Sequence, residues 1–544
     1  MNIGIQPPIG NNTHYPAGKE PFTSTRTDYI AAAIPLSITM VDNLADLRTE
    51  IINAGSTPTT IIINNTIDIT SYAVSIPSGS NITVQGSGML TVSSNIRHFT
   101  VQSGGSLTLA GDLTLARASS YTESGGGISV NGGSFTMLGG EISNNTALEG
   151  GGVYAIDSTF TMTSGQISSN NAAQGGGGVF VRNSNFYLDG GIIAGNNTTS
   201  VAGTDGGGVL IIAGIMTMTD GLIYNNLTTN NGAGGGVALA EGAYFAMYGG
   251  YIRGNRATSG AGISIGSRGL NSTSGYFVME AGVIEDNIAG FLGTTGSGGG
   301  VNVFNGQFTM NGGSIRVNQA EAQGSGVLVS NDGLFTLNGG IVENNLGSGV
   351  ALAGVGSEFI MENGYIRGNQ ATRGGGIFMF WGGHFILRGG TIYNNTATIT
   401  AAAGGSNAGG GGIGMQGSNN IITMEGGYIY NNSSNSNGGG VVIAGSTIQG
   451  DNIFTMAGGT ISNNSANNRG GGIIVNGTGN LFTMLGGTIS GNDANNNGGG
   501  VSIIDSAAFT MEDGEISDNI AFFSGVLNSG FGGGIAVENS TFIM

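Results

Sequence analysis

One phrase recurs throughout residues 125–544, and it constrains the fold more than any other feature of the sequence. The phrase is a glycine cluster, a short β-branched run, a variable stretch and then Phe-Thr-Met-x-Gly-Gly-x-Ile-x-x-Asn. Exact or degenerate copies of its aromatic-x-Met segment occur 15 times, at spacings of 24 to 37 residues. A unit of this length cannot bury its own apolar face, so consecutive units must stack on one another.

The most regular position of the repeat is an asparagine that lies three residues after an isoleucine or valine. Asparagine tolerates a left-handed backbone, and its amide can form hydrogen bonds along a stack. We therefore predict one sharp corner per coil, with the side-chain amides forming a structural ladder. The predicted ladder residues are Asn145, Asn170, Asn196, Asn226, Asn255, Asn287, Asn318, Asn345, Asn369, Asn395, Asn432, Asn464, Asn492 and Asn519.

Each repeat contains three short alternating runs, which predict three strands with one buried face each. The first run follows the glycines, as in Val179-Phe180-Val181; the second is Phe-x-Met, and the third is x-Ile-x. Three strands and three corners predict one turn of a parallel β-helix with coils roughly 4.8 Å apart. The predicted fold is all-β, a single-stranded parallel β-helix of about 18 coils, and parallel crossovers favour the right-handed form.

The N-terminal part departs from the repeat. Residues 1–40 are predicted to be an extended leader, because five of the seven prolines lie there. Residues 41–56 are predicted to form a capping helix, and residues 57–124 irregular opening coils. Residues 125–544 are predicted to be regular repeats, open at the C-terminus.

The capping helix is the best helical pattern in the sequence. Asp42 or Asn43 can cap its start, and Gly55 can end it. Leu47 and Ile51 lie on one face with Leu44, so we expect the helix to cover the first coil as a lid.

The paired motifs GGG-[VI] and I-x-x-N resemble the GGA-[ILV] and F-x-x-N repeats of the chlamydial polymorphic outer-membrane proteins. More broadly, they are similar to the repeats of right-handed β-helix proteins on bacterial and archaeal surfaces. The resemblance covers residues 125–544. It implies a pectate-lyase-like solenoid with an adhesin-like role. The sequence departs from that family in having Gly where Ala is frequent and Ile where Phe is frequent.

Charge and composition exclude several classes of function. The net charge is −18 and only 14 residues are Lys or Arg, which argues against nucleic-acid partners and anionic membranes. The chain has no cysteine, and no run of 18 apolar residues predicts a membrane-spanning helix. No motif predicts a cofactor or a metal ion, so we expect neither.

The candidate binding residues are outward-pointing aromatic and basic side chains in the third strands, together with those of one neighbouring segment. Aromatic side chains on successive rungs of one face can stack on sugar rings or anchor a protein partner. The candidates are Tyr365, Arg367, Tyr393, Tyr428, Tyr430, Trp381, His384 and Arg388.

A second set of outward positions is apolar. These lie in the first strands, and we expect them either to be covered by long loops or to bury a neighbour. They are Phe180, Leu210, Phe378, Val442 and Ile474.

Many parallel β-helices are polysaccharide lyases or glycoside hydrolases, and phage tailspike-like depolymerases share the architecture. Hydrolysis of a glycosidic bond requires two carboxyl groups separated by roughly 5 to 10 Å. Two carboxylate groupings are candidates, and no catalytic residue is assigned from the sequence. The first comprises Glu280, Glu285 and Asp286, and the second Glu512, Asp513, Glu515 and Asp518.

The preferred prediction is a non-catalytic, adhesin-like binding stalk that is extracellular or at the cell surface. Its expected partner is a glycan or a surface protein of a host or neighbouring cell. The first residues lack the basic and apolar regions of a secretory signal. Because residues 542–544 stop inside a repeat, we also expect stacking or lateral self-association through the last coil.

Overall fold

The computed structural model is an all-β parallel β-helix. It describes residues 37–117, 121–199, 205–266, 275–290, 295–400, 409–445, 451–522 and 530–544. The strands pair in parallel between successive coils, so that corresponding repeat positions stack in register. The predicted fold class is therefore confirmed.

Two faces of the solenoid carry the first and second predicted strands. Face 1 consists of the strands after the glycine clusters: Val74–Ile76, Phe99–Val101, Ile128–Asn131, Val153–Ile156, Val179–Arg182, Val209–Ile212, Val237–Ala240, Ile263–Ile265, Val301–Phe304, Val327–Ser330, Val350–Ala353, Ile377–Phe380, Ile413–Gln416, Val441–Ala444, Ile473–Asn476, Val501–Ile504 and Ile535–Glu538. Face 2 consists of the Phe-x-Met strands and their counterparts: Ser37–Met40, Thr59–Ile62, Asn81–Gln85, Ser106–Leu109, Ser134–Ser143, Thr159–Ser168, Asn185–Leu188, Ile215–Met218, Tyr244–Met247, Tyr276–Met279, Gln307–Met310, Leu334–Leu337, Glu358–Met361, His384–Leu387, Ile421–Met424, Ile453–Met456, Leu481–Met484, Ala508–Met511 and Thr541–Ile543.

Face 3 carries the third strands, after the Gly-Gly bend; the long strands Ser134–Ser143 and Thr159–Ser168 continue onto it. Its other strands are Thr66–Asp68, Met89–Val92, Thr114–Arg117, Ile192–Ala194, Leu222–Tyr224, Tyr251–Arg253, Val283–Glu285, Ser314–Arg316, Ile341–Glu343, Tyr365–Arg367, Thr391–Tyr393, Tyr428–Tyr430, Thr460–Ser462, Thr488–Ser490 and Glu515–Ser517. Beyond the three predicted strands, most coils have a short strand after the ladder asparagine. These form face 4: Thr146–Glu149, Asn171–Gly175, Asn197–Thr198, Leu227–Thr228, Arg256–Ala257, Ile288–Ala289, Gln319–Ala320, Gln370–Ala371, Thr396–Ala397, Ser433–Ser434, Ser465–Ala466, Asp493–Ala494 and Ile520–Ala521.

The number of coils differs slightly from the expected 18. The regular repeat contributes 15 of the 17 strands of face 1, from Ile128–Asn131 to Ile535–Glu538. Irregular coils precede them at the N-terminal end. The predicted leader lies outside the described residues up to residue 36, and its last four residues form a strand that pairs with Thr59–Ile62.

The core consists of the inward-pointing columns of faces 1, 2 and 3. On face 2 the phenylalanines stack directly on one another, and from Phe277 to Phe385 the ring centroids of neighbouring coils are 4.7 to 5.0 Å apart. The methionine, isoleucine and valine columns beside them are buried until the last coils, where Met511, Ile516 and Ile535 are only partly buried. Burial of each such side chain contributes roughly 1.5–3 kcal/mol before conformational entropy is subtracted.

The single helix of the described residues, Leu44–Ala54, covers the N-terminal end of this core. Asn43 caps it, since its side-chain oxygen accepts a hydrogen bond from the Asp46 amide at 3.0 Å. Leu47 and Ile51 are fully buried and belong to the same core cluster as the coils. The predicted capping helix is therefore confirmed.

The asparagine ladder runs without interruption from Asn145 to Asn519. A representative rung shows its hydrogen bonds. The backbone N–H and Nδ2 of Asn255 donate to Oδ1 of Asn287, both at 3.0 Å. Nδ2 of Asn287 donates to Oδ1 of Asn318 and to the carbonyl of Ile252, again at 3.0 Å. Each amide therefore links three successive coils.

The left-handed backbone at this corner belongs to the residue before the ladder asparagine. That residue is Asn, Gly or Asp in most coils, for example Asn225, Gly254 and Asp286 with φ of 53°, 63° and 55°. The sequence-based prediction placed the left-handed conformation one residue too late. Val317 occupies the same position with φ of 55°, a conformation that strongly disfavours a β-branched side chain.

We expect Val317→Asn to stabilise the protein by about 1 kcal/mol, because asparagine relieves the backbone strain at an already exposed position. Urea unfolding of the full chain measures the effect. Val283→Asn, at an extended strand position of face 3, is the control and should not stabilise the protein. Equal or lower stability of Val317→Asn would contradict the strain argument.

Candidate functional site

The outward-pointing side chains of face 3 form two parallel columns, set by the strand register. Tyr365 aligns with Thr391, and Thr391 aligns with Tyr428 in the next coil. In the other column Arg367 aligns with Tyr393, and Tyr393 with Tyr430. The predicted tyrosines therefore share one face, although they divide between two columns.

Part of the second column, from Arg253 to Arg367, is a ladder in which arginine and glutamate alternate from coil to coil. The guanidinium of Arg316 lies 2.8 Å from the carboxylate of Glu285, and that of Arg367 lies 2.8 Å from the carboxylate of Glu343. Arg253 lies 3.9 Å from Glu285 on its other side. This charge pattern was not predicted from the sequence. It could have been found, since each of these residues lies two positions before a ladder asparagine.

Arg367 links this ladder to the tyrosines. Its Nη1 donates a hydrogen bond of 2.8 Å to the hydroxyl of Tyr393, while its Nε donates to Glu343 at 2.8 Å. These two hydrogen bonds raise the pKa of Arg367 above its usual value, with the Tyr393 bond as the larger cause. Arg367 is consequently a fixed cation that orients the Tyr393 ring.

Tyr365, Tyr393 and Tyr430 are linked by ring contacts, and Tyr428 lies on the same strand as Tyr430; these four residues are called the aromatic cluster. The rings of Tyr393 and Tyr430 are stacked, with centroids 5.2 Å apart and planes 7° apart. The ring of Tyr365 meets Tyr393 edge-on at 6.2 Å. Tyr365 and Tyr428 are the most accessible members, with 46% and 56% of their surface exposed. The cluster presents amphipathic rings on a rigid sheet.

The remaining predicted residues, Trp381, His384 and Arg388, lie elsewhere around the coil. Trp381 lies at the bend between faces 1 and 2, and His384 begins the face 2 strand that ends just before Arg388. Nδ1 of His384 lies 3.4 Å from the carboxylate of Glu358. Arg388 forms ion pairs with the carboxylates of Glu362 and Glu425, of which Glu362 is the main cause of its raised pKa. Five of the eight predicted binding residues therefore share face 3, whereas Trp381, His384 and Arg388 have separate contacts around the coil.

The first carboxylate grouping considered for catalysis is spread around its coil. Glu280 follows the face 2 strand and accepts a hydrogen bond of 2.8 Å from Asn311. Glu285 points outward from face 3 into the charge ladder, and Asp286 occupies the left-handed corner position. In the second grouping, Glu512 and Asp518 occupy the places of Glu280 and Asp286 in their own coil, and Asp513 follows Glu512. Glu515 lies in the other outward column of face 3, aligned with Thr488.

The outward apolar positions of face 1 are mostly buried. Phe180, Leu210, Val442 and Ile474 are all buried, and they belong to two small clusters outside the main core. Phe378 is only half-buried, and its ring lies 6.2 Å from that of Phe380. The surface around Phe378 therefore remains partly accessible.

A second, shorter asparagine ladder lies at the bend between faces 1 and 2. Nδ2 of Asn420 donates to Oδ1 of Asn452 at 2.9 Å, and Nδ2 of Asn452 donates to Oδ1 of Asn480 at 3.0 Å. All three residues are buried. This ladder was not predicted from the sequence, although each asparagine lies two residues before the core position of its Phe-x-Met strand.

Within the described ranges, no group of three or more His, Cys, Asp or Glu side chains could hold a metal ion. The helix among these residues is too short and too polar to cross a membrane. Comparisons with protein-family models, with curated proteins and with solved structures find no match to this chain. The function of the protein must therefore be inferred from the geometry of its surface and from the repeat pattern of its sequence.

Proposed function

We propose that the protein is a non-catalytic, adhesin-like binding stalk at the cell surface or outside the cell, and that face 3 recognises a glycan or a surface protein of another cell. The observation that carries the proposal is the aromatic cluster of Tyr365, Tyr393, Tyr428 and Tyr430. Tyrosine presents a large apolar ring with a polar tip, which suits both sugar rings and protein hot spots.

The support for this site is its rigidity. The stacked Tyr393–Tyr430 pair and the hydrogen bond from Arg367 hold the rings on a sheet that the core and ladder already fix. A surface that is ordered before binding loses little conformational entropy when a partner docks. The resemblance of the repeats to surface β-helix proteins is consistent with the same role.

We expect the double variant Tyr365→Thr/Tyr428→Thr to lose about tenfold or more of the binding seen with the unmodified chain. Threonine already occupies this column at Thr391, Thr460 and Thr488, so the coils should remain intact. Glycan-array and whole-cell binding assays, with the folded state checked by circular dichroism, measure the effect.

The matched control is Tyr251→Thr, which removes an equally exposed tyrosine from the same column several coils away. This variant should bind like the unmodified chain. If the double variant retained full binding, or if Tyr251→Thr lost as much, the tyrosine cluster would not be the recognition surface.

A further inference from the structure

Trp381 occupies a backbone conformation that its side chain disfavours. The residue directly after a face 1 strand has positive φ in most coils, and it is typically asparagine, aspartate or glycine, as at Asn183, Asn305 and Gly417. Trp381 has φ of 63° at this position. A bulky residue in the left-handed region is strained, and such strain concentrates at binding sites.

The surroundings hold the indole flat against the solenoid. A Cβ added to Gly417 in the next coil would lie 2.8 Å from the indole, so only glycine leaves room for the ring. Phe380 meets the indole edge-on, with centroids 5.7 Å apart. Trp381 remains 43% exposed, and the neighbouring Val355 is 78% exposed. One side of the ring is thus supported by the protein, and the remainder is open to a ligand.

Gln416 connects the Trp381 segment to an arginine. Nη1 of Arg373 donates to Oε1 of Gln416 at 3.4 Å, and the backbone N–H of Trp381 donates to the carbonyl oxygen of the same Gln416 at 3.3 Å. Arg367 of the preceding coil and Arg388 of the same coil pair with carboxylates, whereas Arg373 has no carboxylate partner among the described residues. Its Nε is buried and has no hydrogen-bond acceptor.

We infer that Trp381, Arg373 and Gln416 form a binding subsite for a carboxylated pyranose, such as a hexuronic acid unit of a glycan. The inference rests on the proposed binding function and names a ligand class for a second site, separate from the tyrosine cluster. The C–H face of the sugar ring stacks on the indole, since both surfaces are apolar. The sugar carboxylate takes the guanidinium fork of Arg373, and Gln416 serves the hydroxyl groups.

The net charge of the protein affects which acidic glycans can bind at this site. With a net charge of −18, the molecule repels acidic glycans at long range. Arg373, whose guanidinium has no carboxylate partner among the described residues, therefore supplies the local positive charge that an anionic ligand needs. Because the remaining attraction is local, the site should favour short acidic oligosaccharides over long polyanions.

The test uses the full chain and two probes of equal length and linkage: a tetrasaccharide of galacturonic acid and a tetrasaccharide of galactose. Calorimetric titration should show at least tenfold tighter binding of the acidic probe. Trp381→Asn should lose at least tenfold of that affinity while its melting temperature does not fall, because asparagine suits the left-handed turn. Arg373→Gln should abolish the preference for the acidic probe.

The control is Ala213→Asn, which makes the same change of turn residue in a coil without the platform. It should leave acidic-probe binding unchanged. Equal affinity for both probes, no binding of either, or unchanged binding by Trp381→Asn would overturn the inference. The proposed function fails separately, since it is tested with the tyrosine variants on face 3.

Discussion

Replacement of Asn287 by alanine is expected to lower the free energy of unfolding by about 4 kcal/mol. Asn287 is fully buried in the middle of the ladder. The change removes the acceptor of two donors of Asn255 and the donor that satisfies the carbonyl of Ile252. Each buried polar group left without a partner costs about 1–3 kcal/mol. Denaturant unfolding of the full chain measures the loss.

Two further variants distinguish the ladder from a general effect of losing asparagine. Asn338→Ala removes an exposed amide that bonds only to Asn311, so its cost should stay within about 0.5 kcal/mol. Asn287→Asp should be at least as harmful as Asn287→Ala, because a carboxylate cannot donate to Ile252 and carries a buried charge. Similar stabilities for Asn287→Ala and Asn338→Ala would show that the ladder contributes little.

Local hydrogen exchange should show where the loss falls. A solenoid is stabilised by contacts between neighbouring coils, so the damage from Asn287→Ala should concentrate in the coils of Asn255 and Asn318. Uniform loss of protection along the whole solenoid would contradict this nearest-neighbour description.

The fold could be predicted because inward positions obey a strict period. Asn287 follows Ile284 at the same distance as every other ladder asparagine, and both are buried between identical residues of the adjacent coils. Few residue types are suitable at such positions, since each side chain packs between the equivalent side chains of the preceding and following coils. The left-handed conformation was misplaced because Asn-Asn pairs, as at Asn225-Asn226, offer two candidates for one corner.

The candidate sites could be predicted less well, because outward positions are constrained only by register. Tyr393 and Arg367 are adjacent in space but 26 residues apart, and their contact follows only after the coils are aligned on the ladder. Arg373 and Gln416 are 43 residues apart, across a segment of unusual length. Because loop lengths vary between coils, a constant repeat length aligns the core residues but not these outward residues. The contact between Arg373 and Gln416 was therefore not predicted.

His98 is a fully buried histidine at the N-terminal end of the regular coils. Its Nε2 lies 3.1 Å from the carbonyl oxygen of Leu90 and 3.0 Å from that of Ala116. Complete burial lowers its pKa to about 4, and the nearby charge of Arg117 adds to the decrease. The histidine is therefore neutral in the folded protein at pH 7.

This shift makes stability depend on pH in a definite direction. In the unfolded chain the histidine takes up a proton near its ordinary pKa of about 6.5, whereas the folded chain resists protonation until about pH 4. The unfolded state thus binds more protons in this window. The contribution of neutral His98 to the free energy of unfolding is fully present above about pH 6.5. It decreases as the pH falls, by about 3 kcal/mol at pH 4.

We expect His98→Gln to remove this component, because a glutamine amide can donate to the same carbonyl oxygens without titrating. The measurement is the difference in unfolding free energy between pH 7.5 and pH 4 for each variant; the carboxylates titrate in both, so their contribution cancels. His384→Gln is the control, since His384 is partly exposed beside Glu358 and should leave the pH dependence of the buried histidine intact. An unchanged acid loss in His98→Gln would mean that the buried imidazole is not what limits stability at low pH.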